Sequence, residues 1–192
     1  MGEIFMPRSR TSPVVSLSLL LALVLTAFAD TTPVAMRDGL TLATDVYVPA
    51  TGGPAFPVLL TRTTYGRERH KGEGERFNER GIAFIAQDVR GRGESQGVDN
   101  AFDDDGWGEH QDGADTVAWI KKQPWSNGKI GTLGGSALGI TQVMLAGATK
   151  DITCQSIVVG AADFYDQLSY QGGVWRKNLC EGWLAAQKIS HV

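Results

Sequence analysis

IGTLGGSALGIT, residues 130–141, joins an apolar, β-rich run to a helix-forming one through two glycines and a serine. A tight strand-to-helix turn needs small residues, because the two elements pass closely where the chain reverses. Gly134, Gly135, Ala137 and Gly139 meet that need. Ser136 then stands at a helix N-terminus in a strained backbone conformation, with its side chain projecting above a sheet. Nucleophile elbows are usually written G-x-S-x-G. Here the first half fits, and the closing glycine, Gly139, comes one residue late. The backbone N–H that follows such a serine can face a developing oxyanion. A glycine-rich turn with Ser136 as an ordinary N-cap fits the same letters.

Outward from this turn, apolar runs alternate with helical patterns. TPVAMRDGLTLATDVYVPA reads as a hairpin about a two-residue turn at Asp38-Gly39. Val58–Arg62 and Ile82–Val89 read as buried strands, the second ending in a glycine-rich turn. EHQDGADTVAWIKKQ reads as a helix with Ala114, Val117 and Ala118 on one face. GKIGTLGG is a strand, SALGITQVMLAGA a helix, and QSIVVGA a further strand whose continuous apolar run predicts a buried parallel position. The tail from Gly173 to Ser190 reads as a helix. RERHKGEG, residues 67–74, reads as a solvated charged loop. Strands alternating with helices predict βαβ units: an α/β fold with a mostly parallel sheet and helices on both faces.

Composition narrows the function classes. The 192 residues carry a net charge of −3, so no basic excess supports nucleic-acid binding. At the N-terminus, Arg8 and Arg10 precede the apolar run Val14–Phe28, and Ala27-Phe28-Ala29 follows the small-x-small cleavage pattern. That is a secretory signal, residues 1–29. The run is short of the ~20 apolar residues a spanning helix needs. The expectation is an exported protein, periplasmic or extracellular, with no membrane segment in its mature form. Two cysteines, Cys154 and Cys180, leave a disulfide and two buried free thiols both open; with no CxxC pair, neither a redox motif nor a zinc site is indicated.

Longer stretches carry a family resemblance. RGIAFIAQDVRGRGESQG, DTVAWIKKQPWSNGKIGTLGGSALGITQ, VAMRDGLTLATDVYVPA, FPVLLTRTTYG and GADFYDQLSYQGGVWRKNLCEGWL together closely resemble the X-prolyl dipeptidyl-peptidase and cocaine-esterase family of serine hydrolases. The late glycine of the serine turn is a feature of that family. The resemblance implies an α/β-hydrolase with a Ser–Asp–His triad acting on ester, amide or peptide substrates without a cofactor. It makes Ser136 the nucleophile, and gives the oxyanion hole to the Tyr65 hydroxyl and the backbone N–H of Ala137. Tyrosine is common in the family where this chain has Ala137. The resemblance also divides the chain into residues 30–172, the N-terminal part of the hydrolase domain, and residues 173–192, the start of a helical cap.

The triad partners are the difficulty. The fold's chain order is Ser, acid, His, and His70 and His110 both precede Ser136. Ser136–Asp163–His191 is formally in order, but no strand is readable between Asp163 and His191. The resemblance places acid and histidine after the cap, beyond Val192. Two other motifs fall short. GRGESQG lacks the spacing of a dinucleotide loop, and FDDDGWGEHQD lacks the first ligand and closing Glu of a calcium loop. The second is expected to be an acidic surface loop. The rival to a hydrolase is a catalytically inactive remnant of the same fold that serves in binding. Protein recovered from a bacterial secretory host should begin at Asp30, and N-terminal sequencing checks this. Recovery of Met1 from a membrane fraction contradicts the signal sequence.

Overall fold

The computed structural model describes residues 30–106 and 108–188. The proposed signal segment and His191 therefore lie outside the described residues. Among the described residues, no helix is long and apolar enough to cross a membrane.

A six-stranded sheet forms the centre, in the order β1-β2-β4-β3-β5-β6. Its strands are β1 (Asp30–Ala35), β2 (Thr41–Tyr47), β3 (Phe56–Thr63), β4 (Ala83–Asp88), β5 (Ser126–Gly135) and β6 (Cys154–Val158). β1 and β2 pair antiparallel, as do β2 and β4. From β4 through β3 and β5 to β6 every pairing is parallel. The hairpin forms where the sequence puts it, but its loop is longer. Met36 N–H donates to the Leu40 carbonyl at 2.8 Å, and Gly39 closes a turn onto the Met36 carbonyl at φ 86. That conformation costs glycine little.

The parallel strands are linked by α1 (Lys71–Asn78), α2 (Asp112–Lys121) and α3 (Ala137–Ala148). Period-2 alternation sorts their side chains between two faces. Val58 and Leu60, with Ala83, Ile85 and Ile130, meet Val117 and Ile120 of α2 and Leu145 of α3 in the main core. Leu59, Phe84 and Leu133 face the other way, toward Tyr47 and Phe77 of α1. Burying each large apolar side chain contributes ~1.5–3 kcal/mol, so these two layers fix which face each helix takes.

Three expectations need correction. Residues 67–74 are not a solvated loop: Arg67–His70 form a 3-10 turn leading into α1, and Arg67 is buried. Its guanidinium pairs with Asp45 at 2.9 Å and Asp88 at 2.8 Å, and with Glu94. A charged sequence hid a buried cation because its counterions come from other elements. The tail helix is shorter than read: α4 spans Lys177–Ala186, after a π-helical turn (Phe164–Ser169) and a small hairpin of β7 (Tyr170–Gln171) and β8 (Val174–Trp175). Neither cysteine is buried: Cys154 is exposed, Cys180 half-exposed, and both are free thiols.

β6 is apolar in sequence yet lies at the sheet's edge among the described residues. Ile157 is 41%, Val158 57% and Val159 84% exposed. A flat, apolar edge with unpaired backbone groups is a template for further strand pairing. The 192-residue chain should self-associate with rising concentration, and Val158→Lys should shift it toward monomer, as light scattering reads. A monodisperse monomer at all concentrations contradicts this.

Candidate active site

β5 ends in Gly134-Gly135 and α3 begins at Ala137, so Ser136 alone makes the turn between them. Its backbone sits at φ 57, ψ −123. A non-glycine residue there carries about 1–3 kcal/mol of strain and persists only where its surroundings impose it. Three hydrogen bonds do so. Ser136 N–H donates to the Val158 carbonyl at 2.9 Å, and the Ser136 carbonyl accepts from Gly139 at 2.8 Å and Ile140 at 3.0 Å. The late glycine has a steric cause. A Cβ on Gly139 would lie 3.1 Å from both Gly160 Cα and the Val158 carbonyl oxygen. Glycine is needed where α3 touches the end of β6, and at this crossing that is three residues after the serine. Gly134 plays the complementary part, since a Cβ there would collide with Leu138.

Ser136 makes no side-chain cap bond to the helix, so it is not an ordinary N-cap serine. Its side chain is exposed, while Ala137 is buried. As the first residue of α3, Ala137 has no intrahelical acceptor for its N–H.

Beside Ser136 opens a cavity of about 270 Å³. Phe102 forms its floor, stacked on Trp183 at 5.4 Å between ring centroids and edge-on to Phe164 at 5.9 Å. Tyr65 packs, half-buried, against the cluster that contains Phe102, Ala137 and Leu138. Its hydroxyl accepts a 3.5 Å hydrogen bond from Trp183 Nε1. An indole N–H only donates, so the Tyr65 proton remains free to donate elsewhere. The structure thus brings Ser136, Ala137 and Tyr65 to one end of the sheet. Sequence reading missed Phe102 and Trp183. Ala101 and Phe102 adopt φ 50 and 79, which non-glycine residue types do not announce.

Polar groups buried beneath this end hold it in place. Gln142 accepts from Thr132 Oγ1 at 2.8 Å and donates to the Leu138 and Gly134 carbonyls at 2.9 and 3.1 Å, linking β5 to α3. Arg62 donates to Gln87 Oε1 at 2.9 Å and pairs with Asp105. Arg90 binds Asp112 through two bonds of 2.7 and 2.9 Å, and Asp38 at 2.6 Å. The acidic stretch read as a surface loop is therefore partly interior: Asp105 is 3% exposed and Asp112 fully buried. Both are counterions of arginines that enter from neighbouring strands and loops. Among the described residues no group of three or more His, Cys, Asp or Glu could hold a metal ion.

Neither of the two described histidines lines the pocket. His70 Nδ1 lies 2.5 Å from Glu73, and His110 Nδ1 3.4 Å from Asp38. Asp163, the formal triad acid, accepts from the N–H groups of Tyr165 and Asp166 at 2.7 and 3.0 Å as an N-cap.

A mostly parallel sheet crossed by helices, with a strained serine at the β5–α3 turn, is the architecture of an α/β-hydrolase. Residues 38–191 match the X-Pro dipeptidyl-peptidase (S15) family, and the chain belongs to it. Cocaine esterase from Rhodococcus sp. (strain MB1 Bresler) is 34% identical over 168 residues, covering 82% of this chain and 28% of the relative. Among solved structures, an aminopeptidase from a marine-sediment Thaumarchaeota archaeon superposes with a TM-score of 0.68 at 23% identity, covering 95% of this chain and 33% of that one. An α-amino acid ester hydrolase superposes with a TM-score of 0.59 at 27% identity, covering 76% and 28%. The chain spans about a third or less of the length of these relatives.

Asp105 gives the charged support a pH dependence. Burial pushes its carboxyl up to about 6 from the ordinary 3.8, against the pull of Arg62. Burial likewise raises Asp88, opposed by Arg67. The Arg90 guanidinium holds Asp38 below its ordinary value, so Asp38 titrates only under more acid conditions. A raised acid binds more protons folded than unfolded between the two values. Stability should therefore rise as pH falls from about 6 to about 4, and be lost as pH rises through about 6. The Asp105 contribution is at most about 3 kcal/mol. Melting measured between about pH 6 and about pH 4 should show this rise, and Asp105→Asn should flatten it. Equal slopes contradict the assignment.

Proposed function

We propose that the chain is the nucleophile-bearing part of a serine hydrolase of acyl bonds, in esters, amides or peptides. The backbone of Ser136 is the observation that carries this reading. A strained φ of 57, with no cap bond to relieve it, is maintained where a side chain must stand clear of its own helix. In this reading Ser136 Oγ attacks the substrate carbonyl carbon. The Ala137 N–H and the Tyr65 hydroxyl donate to the carbonyl oxygen as it gains charge. The serine proton passes to a histidine held by an aspartate, which later protonates the leaving group. His70 and His110 do not fill that role, because neither lines the pocket. Export after cleavage near Ala29 belongs to the same reading, and rests on Arg8 and Arg10, the apolar run Val14–Phe28 and the Ala27-Phe28-Ala29 pattern.

A neutral serine hydroxyl without a base is a weak nucleophile, whereas the oxyanion site alone still leaves about 10³–10⁴-fold over water in proteases with broken triads. The 192-residue chain should turn over p-nitrophenyl esters slowly and resist stoichiometric fluorophosphonate labelling. Co-expression with the C-terminal portion of a family relative, carrying its acid and histidine, should raise both. Ser136→Ala in that assembly should abolish them. Retained activity in Ser136→Ala overturns the nucleophile assignment, and rapid turnover lost in His191→Ala assigns the base to His191 instead.

A further inference from the structure

We propose that Arg67, clamped by Asp88, is a positioning residue for Tyr65: it fixes the backbone two residues beyond the tyrosine and so sets where the hydroxyl stands. The proposal rests on the reading of that hydroxyl as an oxyanion donor. Such a donor works only at a fixed place, and a displacement of about 1 Å can cost ~10²-fold in rate.

Tyr65 has little of its own to hold it there. It lies beyond the end of β3, in the turn that leads toward α1. Its N–H donates to Thr63 Oγ1 at 3.0 Å, a bond within the same turn. The next residue, Gly66, sits at φ 103, ψ 119, a conformation that favours glycine. A glycine swivel directly after the tyrosine leaves the chain free to turn unless something beyond it is fixed. At the far end of the side chain, the hydroxyl meets Trp183 Nε1 at 3.5 Å, the outer limit of hydrogen-bond reach. That bond follows the tyrosine's placement and does not impose it.

Arg67 is the fixed point. Its backbone N–H donates to Asp88 Oδ1 at 2.8 Å, and its Nη1 donates to Asp88 Oδ2 at 2.8 Å. One carboxylate thus holds both the main chain and the side chain of the same residue. Asp88 is fully buried at the end of β4, and its parallel partner on β3 is Thr63, two residues before the tyrosine. The guanidinium reaches on to Asp45 of β2 at 2.9 Å through Nε, and to Glu94 through Nη2. Arginine directs its N–H donors along a rigid fork, whereas a lysine ammonium is a point charge on a flexible stem. Stability alone does not explain the cluster, because buried ion pairs add little over apolar packing. What it supplies is geometry. Its anchors lie on β2, on β4 and in the loop after β4, so the turn carrying Tyr65 is referred to the same sheet whose β5 ends at Ser136.

Trp183 reports where Tyr65 stands, because its indole N–H donates to the hydroxyl. In proton–nitrogen correlation spectra of the 192-residue chain, Tyr65→Phe should move the Trp183 indole signal and mark its position without that partner. Two variants then loosen the clamp. Asp88→Asn keeps the shape but turns an NH2 group toward one of the two Arg67 donors. Arg67→Lys keeps the charge and loses the fork. Each should move the Trp183 signal toward its Tyr65→Phe position, while the signals of Trp119 and Trp125, which pack against the main core, stay in place. A Trp183 signal unmoved in both variants overturns the proposal. Loss of the Trp119 and Trp125 signals in both also overturns it, since the clamp would then hold the whole sheet and not the tyrosine. In the co-expressed assembly, Asp88→Asn should lower kcat about tenfold with KM nearly unchanged, but about twofold or less in the Tyr65→Phe background. An equal loss in both backgrounds overturns the proposal. An inactive assembly, or a kcat indifferent to Tyr65→Phe, counts against the oxyanion reading alone, and the indole signals still decide whether Arg67 places Tyr65.

Discussion

The close crossing of α3 over the end of β6 sets the terms for the rest of this molecule. At that crossing Gly139 lies against Gly160 and the Val158 carbonyl, where a side chain would be crowded. The same carbonyl accepts the Ser136 N–H and holds the serine at a positive φ. If the helix stood further off, that bond would lengthen and Ser136 could relax into an ordinary N-cap. The chain would lose the exposed hydroxyl and the free Ala137 amide together. Gln142 works at the same joint, tying the Gly134 carbonyl before the turn to the Leu138 carbonyl after it. Strain at one residue is thus sustained by contacts drawn from two strands and a helix.

The charged interior serves the same end of the sheet. Arg62, Arg67 and Arg90 enter from β3, the turn before α1 and the loop after β4, and each finds buried or half-buried carboxylates. Buried ion pairs add little net stability compared with apolar packing, but breaking one leaves an uncompensated charge. Their effect here is to fix the loops between strands and helices, which have few apolar residues of their own. One of those loops carries Phe102, the floor of the pocket, in a left-handed conformation. An electrostatic frame below and an aromatic stack above therefore share a single backbone segment.

Where the sequence was misread, the reason is consistent. RERHKGEG and FDDDGWGEHQD look like solvent-facing tracts because charge is normally a mark of exposure. Arg67 and Asp105 are exceptions made possible by partners 21 to 43 positions away, Asp88 and Arg62. Nothing local encodes that pairing. β6 reads as a parallel strand whose edge is bare unless a later strand pairs with it, and among the described residues that edge and much of its surface are open. Composition reports what a strand can tolerate and not what stands beside it.

The sequence by itself determined the alternation of strands and helices, the parallel centre of the sheet, the hairpin near Asp38-Gly39 and the strained serine turn with its late glycine. Periodicity and glycine placement act over a few residues, so they are legible without a structure. The family match over residues 38–191 agrees with the resemblance that these stretches carry. Only the tertiary structure decided why the glycine is late, which arginines are buried, that Trp183 donates to Tyr65, and that Phe102, Phe164 and Trp183 line the cavity beside Ser136. These are relations between residues far apart in the chain. Their free energies come from burial and close approach, which exist only once the chain has closed on itself.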